Sequence, residues 1–169
     1  MWVEWTIRCT RRIRARYFTA RVRRRSAACG PSLRVNGRSQ VTGNTRLGSN
    51  VNFNGLEIVG AGAVKIGDNF HSGPGCLLIA QNHNFEGDAL PYDATVIPLA
   101  ITIEDNVWLG SRVIVLGGVT IGEGAIIQAG STVVSDIPRC AIAGGHPATV
   151  FKSRDVEHYE RLKREGKFH

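Results

Sequence analysis

No run of apolar residues in this 169-residue chain approaches the roughly 20 that carry a helix across a bilayer, which excludes a membrane-spanning helix. A secretory signal is not expected either. Its apolar core would follow the first charges, whereas arginines from Arg8 to Arg25 interrupt every apolar run there. Cysteine is sparse. Cys9, Cys29, Cys76 and Cys140 stand far apart, with no CxxC and no Cys/His pairing at zinc spacing, so free thiols in a reducing compartment are expected rather than disulfides. The 20 glycines follow no triplet period, which excludes a collagen-like chain. With 43% apolar and 21% charged residues, the composition is that of one folded domain and not of a disordered segment.

Acidic residues are nearly missing from the first thirty positions. That segment holds nine arginines against Glu4, a balance of +8 in a chain of net charge +7, so the remainder sums to −1. Ile13, Tyr17, Phe18 and Val22 recur at helical spacing between the arginines, and residues 4–25 are read as a basic amphipathic helix. Such a helix suits an anionic membrane surface, nucleic acid or an acidic neighbouring subunit, or it packs its apolar stripe on its own protein.

What the chain does have is a repeat of six. Ile103, Leu109, Val115, Ile121, Ile127 and Val133 are all branched aliphatics, and four positions after each stands Val107, Val113, Val119, Ala125, Ser131 or Ile137. Turn residues such as Glu104-Asp105-Asn106 and Gly122-Glu123-Gly124 lie between them. Val35, Val41, Leu47, Phe53 and Val59 follow the same count; the phase slips by one near Lys65 and resumes with Ile66, Ser72 and Leu78. A period of six fits neither an α-helix nor the 8–12-residue turn spacing of a sandwich. Short strands joined by such turns must wind into an all-β solenoid whose aliphatic ladders face a continuous core.

The aliphatic–Gly–x–x–small–x pattern resembles the hexapeptide repeat of acyltransferases built on a left-handed parallel β-helix. The blocks Ile103–Ser111, Gly130–Pro138 and Ala143–Ala148 resemble the sugar O-acetyltransferases of the galactoside/maltose and colanic-acid, capsule and O-antigen type. The implied organisation is a basic helical segment over 1–32, the β-helix over 33–145 with a loop excursion at 80–100, and a C-terminal capping helix within 146–169. Val156, Tyr159 and Leu162 form the apolar stripe of that last helix, with Glu157/Arg161 and Glu160/Arg164 as i,i+4 pairs.

The polar stretch from Ala80 to Asp93 cannot continue the ladder and is expected to protrude, with His83 at its base. Transfer of an acetyl group from a thioester to a hydroxyl needs a base to take the hydroxyl proton, and an imidazole titrates in the right range. The thioester is already activated, so no metal is required. The resemblance places His83 at the position of the catalytic base, within Asn82-His83-Asn84-Phe85 rather than the His-Pro of the galactoside type. Glu86, Asp88, Asp93 or a backbone carbonyl could orient it.

Trp108 faces outward by the ladder count and suits apolar contact with a ligand. The resemblance implies that Trp108 lies near the pantetheine and acetyl group of acetyl-CoA and near the acceptor. It further implies that Ser111 and Ala129 line the pantetheine, that Asn54 holds the acceptor hydroxyl, and that Lys152 meets the coenzyme phosphates. Val134, Ser135 and Thr149 stand where relatives carry phosphate-binding side chains, which leaves Arg139 and Arg154 as further candidates. The expected partners are coenzyme A, a sugar acceptor and two further copies in a homotrimer, with no nucleic acid. The expected location is cytoplasmic, at the inner membrane face if the basic helix engages it. Serine or small-xenobiotic acetyl transfer on the same fold, a non-catalytic solenoid, and a γ-carbonic-anhydrase-like metalloenzyme are the alternatives. The last needs three converging histidines, whereas His71 and His83 alone fall in the central solenoid.

Overall fold

The computed structural model describes residues 2–169, with side-chain detail from Thr10 onward. The hexads form a parallel β-solenoid with three faces. Face I stacks Ala28–Cys29, Thr45–Leu47, Val64–Ile66, Ile101–Ile103 and Thr120–Ile121. Face II stacks Arg34–Val35, Asn52–Phe53, His71–Ser72, Trp108–Leu109, Ile126–Ile127 and Ala141–Gly145, and ends on the antiparallel strand Ala148–Ser153. Face III stacks Leu56–Val59, Cys76–Ile79, Ile114–Leu116 and Thr132–Val133. Thr102 pairs with Thr120, Trp108 with Ile126 and Ile114 with Thr132, each partner eighteen residues on, so three hexads make one coil.

Both ladders point inward. Ile103, Leu109, Val115, Ile121, Ile127 and Val133 are fully buried, and Val107, Val113, Val119, Ala125, Ser131 and Ile137 are buried beside them. One ladder residue comes from each face, so apolar side chains from three directions meet on the axis and exclude water along its length.

The corners need backbone with positive φ, which asparagine tolerates better than most residues. At the corner between faces I and II, Asn50, Asn69 and Asn106 have φ of 54°, 53° and 61°. Their side chains form a ladder of their own: Asn50 Nδ2 donates to Asn69 Oδ1 (3.0 Å) and Asn69 Nδ2 to Asn106 Oδ1 (2.9 Å).

The phase slip is local. Gln40 bridges Glu57, seventeen residues on, and Glu57 pairs with Leu77, twenty on. One residue is dropped before Glu57 and two are gained before Val64. As a result Ile58 fills the core where the count of six had placed Val59, which is only half-buried. The added residues include Gly62, where a Cβ would sit 2.2 Å from the Leu99 carbonyl oxygen. The larger interruption comes at the corner between faces III and I. Val64 pairs with Ile101, thirty-seven residues on, so the excursion adds a second coil's length plus one residue without breaking the sheet.

Helix α1 (Trp2–Arg25) lies on the first coil. Val22 is buried, Phe18 packs against the core, and Thr19 Oγ1 accepts a hydrogen bond from the Val35 amide (3.0 Å). The apolar stripe read from the sequence is therefore split: Ile13 and Tyr17 are 61% and 59% exposed. Coil pairing begins at Ala28–Cys29, five residues inside the segment assigned to the N-terminal helix.

Helix α2 (Val156–Arg164) is capped by Asp155, whose carboxylate accepts from the His158 amide (2.9 Å). It packs on the corner between faces I and II rather than across the open end. Tyr159 is its buried anchor; its hydroxyl donates to Glu123 Oε1 and accepts from Asn106 Nδ2, both at 2.8 Å. The anchor fits because Gly124 has no Cβ, which would otherwise meet the ring at 2.8 Å. Lys163 and Arg139 also reach Glu123, and Glu160 pairs with Arg139 rather than with Arg164.

This clamp is sensitive to pH at both ends. Burial and the hydrogen bond to Glu123 raise the Tyr159 pKa, so the stability it contributes is lost as pH rises past the ordinary tyrosine value near 10. Burial alone would raise the Glu123 pKa, but hydrogen bonds from Lys163 and Tyr159, with the charges of Lys163 and Arg139, lower it overall. Its contribution is present above pH ~4.5 and lost as pH falls below that value. Hydrogen exchange of the α2 amides is expected to be slowest between about pH 5 and 10 after correction for intrinsic exchange, and Tyr159→Phe is expected to remove the alkaline limb.

Candidate active site

His83 sits at the end of the strand Gln81–His83, which pairs antiparallel with Val96–Pro98 at the base of the excursion. Ala80 anchors both ends of this hairpin: its amide donates to the Val59 carbonyl (2.8 Å), and its carbonyl accepts from the Leu99 amide (3.1 Å). The hairpin thus leaves the core at a fixed point and presents His83 to solvent.

The imidazole is held by stacking. Its ring lies 4.0 Å from that of Tyr92, with 18° between the planes, and the His83 amide donates to the Asn82 side chain (3.0 Å). Among the described residues, neither ring nitrogen of His83 has a hydrogen-bond partner. Asp93, one of the acids considered as an orienting group, instead accepts from the Thr95 amide (2.8 Å) and hydroxyl (2.5 Å). Those two bonds lower its pKa and tie it to the loop tip. Sequence reasoning missed Tyr92, since no spacing rule brings a residue nine positions away onto an imidazole; the stack forms because the loop beyond the stem folds back over His83.

Trp108 is 53% exposed on face II, as the ladder count requires. Its neighbours follow from register: His71, Asn52 and Arg34 in one direction, Ile126, Ile142 and Lys152 in the other. Beside it runs a groove of ≈ 520 Å³ whose lining includes His71, Arg154, Lys163 and Phe168. His71 Nε2 lies 3.2 Å from Asn52 Nδ2 and 3.3 Å from the His169 carbonyl. Burial lowers its pKa, with the nearby Arg34 adding to the effect, so this imidazole favours the neutral form. The sequence offered no partner for His71; the coil places it next to Trp108.

Ser111 and Ala129 are eighteen residues apart and stack at the corner between faces II and III, where the Ser111 carbonyl accepts from the Gly130 amide (2.8 Å). Close stacking there needs small residues, since a Cβ on Gly110 would lie 2.5 Å from the Ala129 nitrogen. Asn54 occupies the same corner nearer the N-terminus. Its Nδ2 donates to the Ser72 carbonyl (2.8 Å) and its Oδ1 accepts from Asn36 Nδ2 (3.0 Å). Of the cations considered for a phosphate, Arg139 is engaged with Glu123 and Glu160, and Arg154 donates to the Gly124 carbonyl (2.6 Å). Lys152 is exposed.

The structure brings Trp108, Ser111, Ala129, Asn54 and Lys152 to one face and its edge. His83 is not with them. The excursion leaves from the corner between faces III and I, which in a three-sided coil is opposite face II. Among the described residues no three His, Cys, Asp or Glu side chains gather as a metal site, so the zinc triad of the carbonic-anhydrase alternative has no counterpart there.

Known proteins share this architecture. A family model described as bacterial transferase hexapeptide (six repeats) matches residues 100–135. Galactoside O-acetyltransferase of Escherichia coli (strain K12) is 39% identical over 121 residues, which are 69% of this chain and 59% of the relative. A galactoside acetyltransferase solved in complex with coenzyme A is 32% identical, with a TM-score of 0.64 over 81% of this chain and 68% of that one. A hexapeptide-repeat acetyltransferase from Vibrio cholerae O1 biovar eltor, complexed with acetyl coenzyme A, is 26% identical at a TM-score of 0.64, covering 78% of this chain and 73% of that one. The chain spans about 59% of the length of the Escherichia coli enzyme. With coils, corners and relatives in accord, the chain belongs to the hexapeptide-repeat acetyltransferase superfamily.

Proposed function

We propose that this protein transfers the acetyl group of acetyl-CoA to a hydroxyl of a sugar or polysaccharide precursor, with His83 as general base. The observation that carries the reading is an imidazole fixed by a hairpin and by Tyr92, with both ring nitrogens unpartnered among the described residues. A group so placed is free to take the proton of a bound hydroxyl. The hydroxyl oxygen then bonds to the acetyl carbon as the carbon–sulfur bond breaks, and the proton on His83 passes to the departing thiolate. Relatives solved with coenzyme A and with acetyl coenzyme A support the donor.

Trp108 gives the acyl end of the donor an apolar wall, Ser111 and Ala129 offer backbone groups along its arm, and Lys152 is the cation available to its phosphates. Asn54 would hold the acceptor through the amide edges left exposed by its stack. His83 and Trp108 lie on opposite sides of one coil, so a site containing both is built between two copies, most simply in a homotrimer. The outward stripe of α1, with Ile13, Tyr17, Arg21 and Arg24 at helical spacing, would rest on an anionic membrane at the cytoplasmic face.

His83→Ala is expected to lower turnover of acetyl-CoA by roughly two to four orders of magnitude while leaving its dissociation constant within about twofold. Wild-type turnover in that variant would remove the base. Mixing His83→Ala with Trp108→Ala after co-refolding is expected to restore about a quarter of the wild-type sites, because one interface in four pairs two intact halves. No recovery would place both residues in one chain's own site. Co-sedimentation with vesicles is expected to need anionic lipid and to weaken in Tyr17→Ser/Arg21→Gln/Arg24→Gln; equal binding to neutral vesicles would exclude the membrane contact.

A further inference from the structure

A second groove, of ≈ 590 Å³, runs between α1 and the first coil. Its lining includes Arg12, Arg16 and Arg23 from the helix and Arg34 and Asn36 from the solenoid, with no acidic residue. Among the described residues no carboxylate forms an ion pair with any of these four arginines. Guanidinium groups gathered in one concavity repel one another and raise the local concentration of anions.

The gathering is built by the fold. Arg12, Arg16, Thr19 and Arg23 follow the i, i+4, i+7, i+11 spacing of a single helical stripe. The hydrogen bond between Thr19 and the Val35 amide locks that stripe against the coil, beside Arg34. Ala15 and Ala20, also in the lining, leave the space between the arginines unfilled.

The groove also leads somewhere. Asn36, at its edge, donates to Asn54, the residue proposed to hold the acceptor. Arg34 stands in the lateral row Arg34–Asn52–His71–Trp108, three strand spacings from the indole, or about 14 Å. That is the order of length of a sugar carrying a diphosphate.

From this placement we infer that the groove lined by Arg12, Arg16, Arg23 and Arg34 binds a phosphate or diphosphate group carried by the acceptor. The acceptor is then a phosphorylated sugar rather than a neutral glycoside. Arginine favours such a ligand because its planar fork matches phosphate oxygens two at a time. A nucleoside-diphosphate sugar and a lipid-diphosphate sugar share this chemistry. The inference rests on the acetyl-transfer reading for the sugar end of the acceptor and on the groove alone for the phosphate end.

The test uses full-length protein saturated with coenzyme A, so that the donor's own phosphates are already placed. Inorganic pyrophosphate is titrated into wild type and Arg16→Gln/Arg34→Gln, with circular dichroism confirming equal helix content. Acetyl transfer is then compared across matched acceptors, each sugar as its 1-phosphate and as its methyl glycoside. The expected result is at least tenfold weaker pyrophosphate binding in the variant, and at least a tenfold kcat/KM preference for phosphorylated acceptors that collapses towards unity in it. A nucleoside-diphosphate sugar against a polyprenyl-diphosphate sugar then separates the soluble from the lipid carrier. Equal pyrophosphate binding by both proteins overturns the inference. So does a preference that survives in the variant, or loss of anionic-vesicle binding with pyrophosphate binding intact. If no acceptor is acetylated but pyrophosphate binding is still lost in the variant, the acetyl-transfer reading fails and the phosphate groove stands.

Discussion

Everything in this molecule depends on the register of one coil on the next. A strand of two or three residues is too short to hold itself, and each survives because it is hydrogen-bonded to strands of neighbouring coils, eighteen residues away wherever the repeat is unbroken. The pairing brings like residues together: aliphatic over aliphatic inside, asparagine over asparagine at one corner, small residue over small residue at another. Burial of the inner ladders supplies the driving force. The stacked corners choose the register, because a slip of one residue would push branched side chains outward and move the asparagines off their positive-φ positions.

The same stacking organises the surface. Because face II repeats coil by coil, residues distant in sequence fall into one lateral row, and that row joins Arg34, Asn52 and His71 to Trp108 and on to Lys152. A long binding track can therefore be assembled from single outward residues, one per coil, on a support that hardly deforms. The helices flank this row. One is fastened by Thr19 and Val22 to the first coil, the other by Tyr159 to the Gly124 corner. The Tyr159 anchor terminates the asparagine ladder, so three amides, a phenol and a carboxylate form one chain in which each hydrogen bond polarises the next.

Much of this was legible before any coordinates. The inward residues from Ile103 to Val133 and the outward Trp108 follow from a period of six. Where the count failed, the cause was local: the dropped residue before Glu57 is compensated so soon by Gly60–Ala63 that the sequence shows only a net slip of one, and Ile58 and Val59 are both aliphatic. Other features were out of reach because they are contacts between elements. Nothing in the spacing of Glu157 and Glu160 reveals that Arg139, on the solenoid, takes Glu160. Nor can a helical repeat tell that α1 would bury Val22 and leave Tyr17 in solvent. Trp108 and Lys152 could be named as candidates from the resemblance, but their common row, and the place of His71 within it, needed the register.

The excursion makes the final point. Val64 pairs with Ile101 as if the nineteen extra residues were not there, and a short two-stranded stem closes the detour at Ala80 and Leu99. Closing a longer loop costs only slowly more as its length grows, and the stem removes even that small dependence from the coils. The tip beyond His83 is therefore insulated from the stability of the scaffold. It is free to change in length and composition, and so to reshape what the histidine meets, while the rods on either side keep their alignment.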